Sequence, residues 1–84
     1  MTKEQFLRSV ESIVNLSVGS LTGKESYDYE RDWDSLAIVG FLSLTDREFH
    51  VATSVRDIKK CSTYDELYLH LIALSSGQHK RLAS

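Results

Sequence analysis

The sequence predicts an all-α domain, a small bundle of helices with a long first loop and a short third helix. Three observations lead there. Apolar residues recur at steps of three and four over much of the chain, the mark of helices with one buried face. Proline is absent, so nothing forces a kink or a break. Finally, 84 residues with a single cysteine must hold a thin core without a disulfide, and helices with local contacts are the simplest way to do so.

The elements follow in order. Over residues 2–16, Phe6, Leu7, Val10, Ile13 and Val14 form the inner face of a first helix, with Thr2 as the expected N-cap and Gly19 as the expected left-handed stop. Residues 17–34 lose the period: Gly19, Ser20, Gly23 and Ser26 interrupt them. Over their last ten positions Glu25, Asp28, Glu30, Asp32 and Asp34 accompany one basic residue, Arg31. So long a stretch in so small a domain is expected to be ordered by packing or to carry function. Leu16, Val18 and Leu21 are its apolar anchors. Tyr27, Tyr29 and Trp33 are expected to cover the core from outside, with their polar atoms in water.

Asp34 or Ser35 caps the second helix, residues 36–49. It begins with seven uncharged residues, 36–42, which cannot all face so small a core; a loop or a partner is expected to cover the remainder. Gly40 weakens this helix by about 1 kcal/mol relative to Ala, and leaves a notch open to a partner or prosthetic group. Residues 51–54 read as a linker and 55–61 as a short helix, with Val55, Ile58 and an inward-facing Cys61 at steps of three. Thr63 with Glu66 has capping-box spacing and opens the last helix, whose stripe is Leu67, Leu71 and Leu74, widened by Tyr64, Leu69 and Ile72. Ser75, Ser76 and Gly77 are expected to end it. The domain is therefore expected to occupy residues 1–77, followed by a flexible C-terminal tail, 78–84.

Composition narrows the function classes. Apolar residues make up 42% of the chain, charged residues 26%, and the net charge is −2, ordinary values for a globular domain. Without a basic excess there is little to steer the chain to nucleic acid. The seven-residue apolar run falls far short of the roughly 20 residues of a bilayer span. The N-terminus lacks the basic-then-apolar order of a secretion signal, so a reducing, cytoplasmic setting is expected. A conventional active site would consume most of the core, and no acid, base and nucleophile constellation is visible, so no catalytic activity is expected.

At Trp33-Asp34-Ser35-Leu36, after a long acidic loop and at the start of the second helix, the chain resembles the acyl carrier protein family. The likeness runs from about Phe6 to Leu74, with Glu48-Phe49 at the end of helix two and Thr63-Tyr64-Asp65-Glu66-Leu67 at the start of the last helix as further landmarks. Asp-Ser-Leu alone is a weak string; its place within a four-helix pattern of this length gives it weight.

The resemblance implies a stand-alone, monomeric four-helix bundle of acyl-carrier type. Ser35 would carry a covalent 4′-phosphopantetheine arm, taken from coenzyme A by a separate phosphopantetheinyl transferase. The arm's thiol would hold acyl intermediates as thioesters for acyl-loading and acyl-processing enzymes, and tethering would raise their effective concentration there. The chemistry suits the residues. A serine hydroxyl needs a base to become a nucleophile, no histidine lies near Ser35 in sequence, and the base is therefore expected from the modifying enzyme. A helix N-terminus also favours a phosphate. Asp34 and Leu36 flank the attachment point, and Leu36, Ala37, Ile38 and Gly40 are the expected partner contacts, with Phe41 assigned to the core. The bland reading of Ser35 and Asp34 is helix capping.

Some residues depart from the family pattern. Ala37 and Gly40 stand where carriers of primary fatty acid synthesis usually place carboxylates. From Ser35 to His70 there are five acidic and four basic residues, a nearly neutral surface. Because charge complementarity governs encounter and partner choice, a dedicated polyketide or unusual fatty-acyl pathway is expected rather than housekeeping fatty acid biosynthesis. The alternatives are an aminoacyl or peptidyl carrier using the same serine, and a helical adaptor that is never modified. His50, Cys61, His70 and His79 have no compact zinc spacing, so no metal is expected. Cys61 reads as a structural thiol, and His79-Lys80-Arg81 is too short for a nucleic-acid patch.

Overall fold

The computed structural model describes the backbone of residues 1–83 and the side chains of residues 1–76. Among them the chain is all-α: α1 (Lys3–Ile13), α2 (Tyr29–Asp32), α3 (Ser35–Leu44) running directly into a π-helical turn (Thr45–Phe49), α4 (Val55–Lys60) and α5 (Tyr64–Ala83). None of the described helices is long and apolar enough to cross a membrane.

Thr2 caps α1 as expected. Its hydroxyl accepts the Gln5 amide at 3.2 Å, and the Gln5 side chain accepts the Thr2 amide at 2.8 Å. The helix stops earlier than expected, at Ile13. Asn15, at φ 62°, takes the left-handed position assigned above to Gly19, since a short amide side chain tolerates it. Helix two also differs. Its last turn widens into the π-helical segment, where the fully buried Thr45 donates to Leu42 O or exchanges a hydrogen bond with Thr53 (2.7 Å), and left-handed His50 ends the turn.

The expected Thr63–Glu66 capping box opens α5. That helix passes through Ser75, Ser76 and Gly77 instead of ending there. Each of those residues weakens a helix by at most about 1 kcal/mol, and no proline follows to break it. The 78–84 tail expected above falls on residues whose side chains lie outside the described part of the structure.

The core is a set of rings. Phe6 meets Phe41, Phe49 and Tyr68 at centroid distances of 6.5, 6.1 and 5.4 Å, joining α1 to α3, the π-helical turn and α5. Val10, Ile58, Leu67 and Leu71 fill the space around them. Trp33 belongs to this core rather than covering it from outside. It is 4% exposed and stands edge-on to Phe41 at 5.3 Å. Tyr27 and Tyr29 are the half-buried cover that the sequence suggests. Short α4 is tied down on two sides. Tyr27 Oη donates to Ile58 O, and Asp57 pairs with His70 of α5 at 2.7 Å. Cys61 is half-buried against the core, and burial raises its thiol pKa.

The long loop is ordered chiefly by polar contacts. Glu11 is a charged residue with no exposed surface. Its carboxylate accepts the Gly19 amide at 3.0 Å and the Leu21 amide at 2.8 Å, with Arg8 at 3.2 Å; Arg8 in turn donates to Leu21 O. Burial pushes the Glu11 pKa up, but these amides and Arg8 outweigh it and hold it below the ordinary value. Farther along, the loop pairs with the entry to α5: Asp65 N–H donates to Gly23 O, Tyr64 N–H to Glu25 O, and Tyr27 N–H to Ser62 O.

Candidate functional site at the start of the third helix

Two contacts aim the chain into α3. Buried Trp33 fixes the residue before the cap, and Asp34 then turns its carboxylate back to accept the Ala37 amide at 2.8 Å. Among the described residues the buried indole N–H of Trp33 has no hydrogen-bond partner, and the ring packs against Tyr27 and Phe41. Upstream, α2 is a single turn built on Asp28, which accepts the Glu30 and Arg31 amides. Asp32 closes it by accepting the Asp28 amide and pairing with Arg31. Of the five carboxylates in this acidic stretch, Glu25, Asp28, Asp32 and Asp34 therefore bind local backbone amides, which leaves Glu30 as the carboxylate without such a capping role.

Ser35 is the first residue of α3 and is exposed; Leu36 beside it is 77% exposed. The first amides of a helix have no partner within it, and Asp34 takes only that of Ala37, so among the described residues the Ser35 and Leu36 amides are left without a partner. Among the described residues no hydrogen bond engages the Ser35 hydroxyl, and the adjacent Asp34 carboxylate is bound to the Ala37 amide. The arrangement can accept a group transferred by another protein. These residues fit a serine-linked phosphodiester: an exposed serine, adjoining first-turn amides without a partner and a neighbouring carboxylate bound in the cap.

The expected partner contacts divide. Leu36 is exposed and Ile38 half-buried. Ala37, by contrast, is 2% exposed and packs in the core with Phe41 and Leu44, so this structure offers it to no partner. Gly40 is half-buried and lines a surface cavity with Ser12, Ile13 and Arg47. A Cβ there would lie 3.5 Å from the Ile13 side chain, an ordinary contact with α1. Val39, 63% exposed, was not among the expected contacts. The helical period carried that signal, since positions 36 and 39 lie on the side opposite 37, 41 and 44.

No protein-family model, curated protein or solved structure matches the chain. Among the described residues, no three His, Cys, Asp or Glu side chains stand close enough to hold a metal ion.

Proposed function

We propose that this protein is a stand-alone carrier of the acyl-carrier type, with α1, α3, α4 and α5 as its four helices and Ser35 as the attachment point of a 4′-phosphopantetheine arm. The observation that carries this reading is the exposed serine at the first position of α3, between a capping Asp34 and an exposed Leu36. The arm, when bound, supplies the thiol that holds an acyl group. The chain's own residues present the hydroxyl, leave first-turn amides available to a phosphate and keep Asp34 bound to the Ala37 amide. A phosphopantetheinyl transferase supplies the base that takes the Ser35 proton.

The setting of this proposal is cytoplasmic, and the partners are the loading and processing enzymes of one dedicated pathway. The exposed side chains Leu36 and Val39 carry no charge, which favours that choice over enzymes that select acidic carriers. An aminoacyl cargo is favoured by a cleft beside α2, taken up below.

Incubation with coenzyme A and a broad-specificity transferase, followed by intact-mass measurement, tests the reading. The expected result is one added phosphopantetheine, absent in Ser35→Ala. An unchanged mass in the folded wild-type protein would leave the helical adaptor as the better account.

A further inference from the structure

The long loop, α2 and the start of α5 enclose an open cleft of about 410 Å³. Val14 and Leu21 make part of one wall, and Glu25, Arg31, Asp32 and Tyr64 contribute polar groups. Tyr64 is the informative residue. It is 3% exposed and lines the cleft, and among the described residues no hydrogen bond engages its hydroxyl. Burial, then the charges of Asp32 and Glu25, raise its pKa to about 12. The hydroxyl therefore stays protonated and lies within the field of the two cleft carboxylates. Glu25 and Asp32 against Arg31 give these groups a net charge of −1, which attracts a cation and repels an anion.

The cleft is also near the candidate attachment point. Asp32 precedes Ser35 by three residues, so their Cα atoms are separated by at most about 11 Å along the chain. A phosphopantetheine arm is longer than that.

Resting on the carrier reading, we propose that this cleft receives the end of the tethered arm when the cargo is a small aminoacyl group, with its ammonium toward Glu25 and Asp32 and its hydrogen-bonding groups toward the Tyr64 hydroxyl. Pockets that bind small ligands combine apolar walls with a few convergent polar groups, and this cleft has both. Its volume and openness suit a short cargo, and its charge selects an amine over a plain acyl chain.

The test loads the full chain at Ser35 with three hydrolysis-resistant, amide-linked arms ending in glycyl, N-acetylglycyl and butyryl groups. Mass confirms loading, and backbone amide NMR shifts are then compared. The glycyl arm is expected to shift the Tyr64 and Asp32 amides, with those shifts lost in the two uncharged arms. Tyr64→Phe, which removes no hydrogen bond within the protein, should diminish the glycyl shifts; Arg31→Gln, at an exposed position, should enlarge them. Loaded protein with no shift at the cleft, or with equal shifts for all three arms, overturns the inference while leaving the carrier reading intact. Failure to load overturns the carrier reading, and this inference with it.

Discussion

The helices and the long loop of residues 14–34 are held by different physics. Around Phe6 and Phe41 the chain removes apolar surface from water, and the periodic pattern shows where it will do so. The loop has few large buried side chains, chiefly Leu21 and Trp33, and is shaped by carboxylates that take up backbone amides: Glu11 those of Gly19 and Leu21, Glu25 those of Thr22 and Gly23, and Asp28 those of α2. Ser35 sits where the two regimes meet, on a helix whose inner face is apolar and whose first turn is set by Asp34. The difference teaches that a loop rich in acidic residues need not be a solvated charge run; its charges here hold the backbone in place.

The contrast can be broken most strongly from the core side. Phe41→Ala removes a ring in contact with Phe6 and Trp33 and should cost about 3–5 kcal/mol, measured by urea unfolding, enough to threaten the fold of so small a domain. A cost below about 1 kcal/mol would mean that the ring cluster is not the core. On the loop side, Gly23→Ala should cost about 1–3 kcal/mol. Gly23 has φ +105°, and an added Cβ would meet the carboxylate of Asp65, whose amide already donates to Gly23 O. A neutral result would show that the loop does not dock on α5 in this way.

Acid should separate the two regimes without a mutation. Glu25 has its pKa pulled down to about 2, first by backbone amides within its own turn, and Glu11 is also held below its ordinary value. Folded values below unfolded ones mean that their contribution is complete above about pH 4.5 and is lost as pH falls through the folded values. Amide exchange, corrected for intrinsic rates, should therefore quicken at Gly19, Leu21, Thr22 and Gly23 between about pH 4 and 2, before the core amides of α1. Simultaneous loss in both regions would contradict the division. A smaller effect is expected at the junction: Asp34→Ala removes the cap on the Ala37 amide and should cost about 1 kcal/mol in thermal or urea unfolding.

Much of the helical layout was legible in the sequence because it depends on local rules. Thr2 and the Thr63–Glu66 box are short-range capping signals, and Phe6, Val10, Phe41, Leu67 and Leu71 fall on the helical period. What escaped depends on distant partners. Nothing beside Glu11 announces that a turn eight to ten residues later will bring amides to it, and nothing beside Gly23 announces the Asp65 carboxylate. Trp33 and Ala37 were misplaced for the same reason, since residue type suggested a surface that only the packing of α3 against the loop decides. At the candidate site, the exposure of Ser35 and Leu36 follows from their place at a helix start, whereas Tyr64 in its cleft becomes visible only once the loop is folded.

The central claim is that Ser35 is modified, and trypsin makes it directly measurable. Cleavage after Arg31 and Arg47 yields a peptide of residues 32–47 that contains Ser35 and Ser43. After transferase treatment, fragment-ion masses should assign one phosphopantetheine to Ser35 and none to Ser43. A peptide that remains unmodified, or carries the group at Ser43, would contradict the account.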